Sequence, residues 1–89
     1  MFLDDIYPMN PFSVLLFGIA RDLVGQSAIT CSLPKQARVR DLLAQLHEQH
    51  PALAGIKSLL VARNGEYADA DTRISPTDEI AIIPPVSGG

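Results

Sequence analysis

One stretch of the sequence constrains the fold more than any other, because it is the one long segment with the repeat of an amphipathic helix. Apolar side chains fall there at positions i, i+3, i+4 and i+7, which places them on one helix face. The segment ends at His50, because Pro51 disfavours helical backbone in the residue before it. The sequence therefore predicts one long helix with a single buried stripe. The stripe consists of Val39, Leu42, Leu43 and Leu46.

Short apolar segments with the two-residue alternation of strands flank this helix on both sides. Phe12–Phe17 carries large apolar groups on both faces, as expected of a central strand. Ala28–Leu33 alternates, with Cys31 on its inner face, and Pro34 ends it. Further strands are predicted at residues 58–63, 66–68 and 79–83.

Glycine and turn-forming residues separate these segments. Gly18–Gly25 is predicted to form a short helix that stops at Gly25. Asn64–Gly65 is a strong hairpin signal, since both central positions of a type I′ turn need positive φ. Ser75–Asp78 is predicted to be a second turn. Residues 51–57 connect the long helix to the next strand and have room for one helical turn.

The order of elements is strand, strand, long helix, strand, short strand, strand. The first two strands are separated by too few residues for a crossover, so they are expected to be antiparallel. This order predicts an α+β, ubiquitin-like β-grasp fold, a mixed sheet of four or five strands with the long helix packed across one face. Residues 12–83 would form the domain, residues 84–89 an extended tail and residues 1–11 a flexible leader. Met1 and Met9 both stay open as the native start.

Composition excludes several classes of function. The chain has 89 residues, enough for one small domain, and a net charge of -3 without a basic cluster, which argues against nucleic acid as a partner. No apolar run reaches the roughly 18–20 residues of a membrane span, and no secretory signal is evident. The single cysteine excludes an internal disulfide. A cytoplasmic protein without a bound cofactor or metal is expected.

The last strand leads into two prolines and a terminal Gly-Gly. Proline fixes φ and lacks an N–H donor, so the strand is expected to stop there and the chain to leave the body extended. At about 3.1 Å per residue, the tail would reach roughly 15–20 Å. Such a tail suits the insertion of a terminal carboxylate into the active site of another protein. Its residues are Pro84, Pro85, Val86, Ser87, Gly88 and Gly89.

Three motifs together carry a family resemblance: residues 83–89 at the end of the chain, residues 17–23 after the first strand, and residues 76–80 before the last strand. With them the chain resembles the ubiquitin-like sulfur carriers of the MoaD and ThiS family, above all the small subunits of molybdopterin synthase. Gly18 departs from the alanine that is common in that family, Ile82 and Ile83 stand where aromatic residues are frequent, and the leader has no usual counterpart.

The resemblance implies a carrier without a complete active site of its own. A MoeB-like adenylyltransferase, related to ubiquitin-activating enzymes, would use ATP to adenylate Gly89, and sulfur would then replace the adenylate to give a thiocarboxylate. The tail would enter a large, MoaE-like subunit of molybdopterin synthase and supply sulfur to cyclic pyranopterin monophosphate. A heterotetramer of two small and two large subunits is expected.

The resemblance also assigns the site residues. Gly89 would carry the sulfur, and Gly88 would leave the clearance that lets it enter the partner. Arg21 matches a family arginine that contacts the partner, although a solvated helix charge explains it equally well. Phe17 and Tyr67 with Ile83 are predicted to form an apolar patch on the uncovered sheet face, with ordinary packing as the alternative. The expected partner-binding residues are Phe17, Arg21, Tyr67, Ile83, Pro84, Pro85, Val86 and Ser87.

Other reactive side chains have simpler explanations. Cys31 is expected in the core, and His47 and His50 lack further ligands at metal spacing. Three acidic residues, Asp69, Asp71 and Asp78, suggest a calcium loop only superficially, because the required Gly and Glu positions are not matched.

Alternative functions remain open. They are a carrier for thiamine synthesis or tRNA thiolation, a protein modifier linked through Gly89 to lysines, and a structural binding module.

Overall fold

Five strands and two α-helices make up the part of the chain that the computed structural model describes, residues 9–56 and 59–84. A short 3-10 helix, Pro51–Gly55, follows the long helix. No helix within these two ranges combines the length and the apolar character that crossing a membrane requires. In chain order the elements are β1 (Met9–Leu16), α1 (Gly18–Val24), β2 (Ala28–Pro34), α2 (Val39–Gln49), β3 (Leu60–Arg63), β4 (Glu66–Ala68) and β5 (Ile80–Ile83).

The strands form one mixed sheet in the order β2-β1-β5-β3-β4. β1 is antiparallel to β2, as predicted, and parallel to β5, with Val14 opposite Ile80. β3 is antiparallel to both β4 and β5. The first and last strands of the chain are therefore neighbours at the centre of the sheet, which confirms the predicted ubiquitin-like β-grasp fold.

The core lies between α2 and one face of the sheet. Leu42 and Leu46 are fully buried, while Leu43 at the margin of the predicted stripe is only half-buried. The helix begins with Asp41 accepting a hydrogen bond from the backbone N–H of Arg38 at 2.9 Å, which caps its first turn. The predicted alternation along the strands is confirmed. The buried strand residues include Phe12, Val14, Leu16, Ile29, Cys31, Leu33, Val61, Ile80 and Ile82.

β1 begins at Met9, so the prediction of an irregular leader up to residue 11 is wrong for its last three residues. Residues 1–8 lie outside the described part. Pro11 is tolerated because β5 pairs with β1 only from Val14 onward. The Leu16 N–H bonds to Ser27 O on the β2 side at 2.9 Å. By the two-residue alternation, the nitrogen of Pro11 faces the other side, where no ladder bond is lost.

The predicted turns are confirmed by their backbone angles. Asn64 and Gly65 have φ of 52 and 87, as a type I′ hairpin needs. Gly25 has φ 85, and its N–H bonds to Arg21 O at the end of α1. The Ser75 carbonyl accepts the N–H of Asp78 at 2.9 Å and closes the second turn.

Candidate functional site

The candidate site begins where β5 ends. Ile83 is half-buried and Pro84 is buried, so the chain stays attached to the body through Pro84. The N–H of Phe17 donates to Ile82 O at 3.3 Å, which extends the pairing of β1 with β5 to this point. The other residues of the predicted tail lie outside the described part. They are Pro85, Val86, Ser87, Gly88 and Gly89.

A shallow depression of about 350 Å³ lies beside this strand end, on the sheet face that α2 does not cover. Phe17 and Tyr67 are both exposed there, at 47% and 70%, and Ile83 lies between their strands. The structure thus brings the three residues of the predicted apolar patch together, while their binding role stays a prediction. The apolar lining is Leu15, Phe17, Ala62, Tyr67, Ala81 and Ile83.

Sequence reasoning missed part of this lining. Leu15 and Ala81 lie two residues before Phe17 and Ile83 on the same strands, so the two-residue alternation places them on the same face. Ala62 was not found because its position depends on the pairing of β3 with β5. Exposed apolar surface of this kind on a small protein is typical of an interface.

Arg21 lies apart from this depression. It is on α1, and its side chain is exposed with Nε 3.8 Å from Asp22 Oδ1. An exposed pair at that distance contributes little to stability. The guanidinium therefore stays accessible, lining a second shallow depression with Gln26 and Ser27.

The acidic residues of the loop before β5 are engaged in structural contacts. Asp78 is mostly buried and also lies 3.3 Å from Arg63 Nε. Two of the carboxylates accept hydrogen bonds within the loop and the third pairs with an arginine in the first turn of α2, which agrees with the expectation of a turn rather than a calcium loop. Asp78 accepts a hydrogen bond from Ser75 N–H at 2.8 Å, and Asp69 accepts one from Thr72 Oγ1 at 2.9 Å. Asp71 pairs with the Arg40 guanidinium.

Cys31 lies in the core with no exposed surface. Burial raises the pKa of its thiol, because the thiolate would lose its hydration. The thiol donates only a weak hydrogen bond, to Gln49 Oε1 at 4.0 Å from Sγ. His47 is exposed in the last turn of α2, and His50 follows its end. Among residues 9–56 and 59–84, no three His, Cys, Asp or Glu side chains gather as a metal site would require.

Comparisons with known proteins agree with this geometry. The ThiS family matches residues 14–89. The molybdopterin synthase sulfur carrier subunit of Dictyostelium discoideum is 38% identical over 84 residues, covering 90% of this chain and 98% of that protein. The human protein of the same name is 31% identical over 86 residues, covering 92% of this chain and 98% of its own length.

A solved structure shares the whole architecture. The crystal structure of SAMP1, the small archaeal modifier protein 1 of Haloferax volcanii, superposes with a TM-score of 0.79 at 30% sequence identity. That alignment covers 90% of this chain and 100% of the archaeal one.

Proposed function

The chain belongs to the ThiS family, and from that premise we propose that it is the sulfur-carrier subunit of a molybdopterin synthase. The observation that carries the proposal is its similarity, over nearly the whole length, to proteins named as that subunit. The family match includes the Pro-Pro and Gly-Gly residues at positions 84–89, which are the residues the chemistry needs.

The proposed chemistry takes place on the terminal carboxyl group. An α-carboxyl group has a pKa of roughly 3.5, so the Gly89 carboxylate is ionised at neutral pH and can attack the α-phosphate of ATP in the activating enzyme. Pyrophosphate leaves in that step, and a donor of sulfur at the sulfide level then displaces AMP from the acyl-adenylate to give the thiocarboxylate. Glycine has no Cβ, so Gly88 and Gly89 leave the carbonyl open to two different enzymes. The thiocarboxylate donates its sulfur to cyclic pyranopterin monophosphate in the large subunit.

This chemistry requires two partners. One is an adenylyltransferase related to ubiquitin-activating enzymes, and the other is a large synthase subunit. The large subunit would form a complex of two small and two large chains. The apolar depression around Phe17, Tyr67 and Ile83 supports docking of this kind, because it lies next to the strand that ends at the tail. Pro84 and the residues up to Ser87 would then lead the terminus into the partner.

The proposal is tested by intact mass after incubation with the adenylyltransferase, ATP and a sulfur donor. Replacement of oxygen by sulfur adds about 16 Da to the wild-type protein. Deletion of Gly89 and Gly88→Ala should each abolish sulfur transfer, with the urea unfolding midpoint unchanged. A wild-type terminus that gains no sulfur, or a Gly89 deletion that still supports molybdopterin formation, would contradict the proposal.

A second candidate function has its own support in the similarity to the archaeal modifier protein. A modifier would form an isopeptide bond between Gly89 and lysines of other proteins. The same mass spectrometry separates the two functions, because digestion of cell extracts would then yield lysines that carry the C-terminal peptide. Thiocarboxylate without such conjugates supports the carrier.

A further inference from the structure

The hairpin between β3 and β4 is tied to the loop before β5 through the side chain of Asn64. Its Nδ2 donates to Asp78 Oδ1 at 3.0 Å, and its Oδ1 accepts the N–H of Glu79 at 2.9 Å. The Asn64 N–H in turn donates to Glu79 O at 2.8 Å. The ladder between β3 and β5 ends with Arg63 opposite Ile80. Asn64 and Glu79 therefore form the next pair of this ladder, with a side-chain oxygen in the place of a backbone one.

Only one residue type meets every requirement at position 64. The φ of 52 favours Gly, Asn or Asp. The N–H of Glu79 needs a side-chain acceptor, which Gly lacks. The carboxylate of Asp78 needs a donor, which an ionised Asp lacks. The hairpin therefore requires Asn at this position, and Gly65 follows it.

An Asn-Gly sequence is chemically labile, because glycine has no Cβ to hinder the approach of its nitrogen to the preceding side chain. The Gly65 nitrogen attacks Cγ of Asn64, so that the N–Cγ bond forms and the Cγ–Nδ2 bond breaks. Nδ2 leaves as ammonia and takes the proton of the Gly65 N–H. Water then opens the resulting imide to aspartate or isoaspartate, so the reaction needs no oxidant, reductant or enzyme.

We propose that Asn64 is a deamidation site that the fold protects and whose conversion releases the hairpin from the loop. Asn64 is exposed, so burial does not keep water from it. Attack by the Gly65 nitrogen requires the side chain to turn, which the hydrogen bonds at both ends of the amide oppose. The reaction therefore proceeds from molecules in which the hairpin has opened, and its rate follows their fraction.

Conversion to aspartate changes the charge at this contact. A carboxylate oxygen then replaces the Nδ2 donor, 3.0 Å from Asp78 Oδ1, and the like charges repel. Arg63 Nε lies 3.3 Å from Asp78 Oδ2 and already pairs with that first carboxylate. Refolding does not restore the amide, so a chain that has reacted while open stays less stable. This inference does not depend on the proposed function.

The first test compares the full chain, folded and unfolded in urea, at the same mildly alkaline pH and temperature. Peptide mass spectrometry follows the gain of about 1 Da that deamidation causes. The chain has one other asparagine, Asn10, and Pro11 after it has no N–H with which to attack, so Asn10 is an internal reference. Deamidation of Asn64 should be at least about tenfold slower in the folded chain.

Two variants separate the hydrogen bond from general effects on the loop. Asp78→Ala removes the acceptor of the Asn64 amide and should raise the deamidation rate of the folded chain about threefold to tenfold. Asp71→Ala is the matched control, because this exposed carboxylate of the same loop pairs with Arg40 and not with the hairpin. Its deamidation rate should equal that of the wild type.

Exchange of the two side chains tests the consequence of conversion. Asn64→Asp reproduces the aspartate product and should raise the equilibrium constant of unfolding about fivefold to thirtyfold. Addition of Asp78→Asn again places an amide against a carboxylate, with donor and acceptor exchanged. The double variant should therefore recover most of the loss, and urea titration measures both proteins.

Four results would overturn the inference. They are equal Asn64 deamidation rates in the folded and the unfolded chain, equal rates for folded Asp78→Ala and Asp71→Ala, an Asn64→Asp variant as stable as the wild type, and a double variant no more stable than Asn64→Asp. If Asp78→Ala does not fold, the exchange of the two side chains decides, because it keeps both groups at the contact.

Discussion

Cys31 illustrates at the scale of one residue how burial determines chemistry. Its sulfur could have been taken for the sulfur that a carrier transfers. The thiol instead lies in the core between residues of β2 that share its face, with no exposed surface and a raised pKa. A thiol is nucleophilic as the thiolate, so a buried thiol of raised pKa is inert at neutral pH.

The raised pKa of Cys31 predicts a pH dependence of stability. Between the ordinary thiol pKa of about 8.5 and the raised one, the folded chain binds more protons than the unfolded chain, so the free energy of unfolding falls as pH rises. Urea unfolding at about pH 7 and about pH 10 should show a larger loss for the wild type than for Cys31→Ala. The two proteins share all other titrating groups, which cancel in this comparison. Equal losses, or rapid labelling of the folded thiol at neutral pH, would contradict the prediction.

At the scale of elements, α2 covers the core, and its buried stripe is narrower than its four apolar residues predict. Leu42 and Leu46 have no exposed surface, whereas Leu43 lies at the edge of the stripe. The helix therefore places leucine side chains in two environments, the fully buried core and its partly exposed edge. The opposite polar face, with its capped first turn, contributes solubility and a defined start rather than burial.

Leu42→Ala should lower the free energy of unfolding by about 2–5 kcal/mol, because it leaves a cavity in the core. Leu43→Ala, the matched control, should lower it by about 1 kcal/mol, since its side chain already contacts water. Urea titration monitored by circular dichroism measures both. Similar losses for the two variants would mean that α2 packs on the sheet with a different face.

At the scale of the whole molecule, the two faces of the sheet have separate roles. One face is sealed by α2 and holds the core, while the other carries the apolar depression. The parallel pairing of β1 with β5 places this depression beside the point where the chain leaves the body. A partner that docks on the open face is therefore close to the tail that it would receive.

Tyr67→Ala should weaken binding to the large subunit about tenfold, or about 1.4 kcal/mol, because aromatic side chains often dominate an interface. The free energy of unfolding of the free chain should change by less than about 0.5 kcal/mol, since Tyr67 is exposed. Met9→Ala is the control, an exposed apolar residue roughly 25 Å away along β1 from Phe17. Titration calorimetry measures both affinities, and equal effects would rule out a specific role of the depression.

Much of the candidate site could be predicted from local sequence patterns. The alternation along β1 places Leu15 and Phe17 on one face whatever the strand pairs with, because successive side chains point to opposite sides. The accessible position of Arg21 on a short helix also follows locally. Separating Arg21 from the depression required the structure, because the direction in which α1 leaves β1 depends on how it packs.

The sequence by itself determined the elements, their buried faces and their turns, since 3.6- and two-residue periodicities and the φ preferences of Asn64 and Gly65 act over a few residues. Tertiary structure alone decided which strands meet. Asn10 and Pro11 join β1 because β2 pairs with them, although their own residue types do not favour a strand. The hydrogen bonds of Asn64 with Asp78 and Glu79 likewise join separate segments of the chain, and such contacts depend on the packing of the whole domain rather than on any local preference.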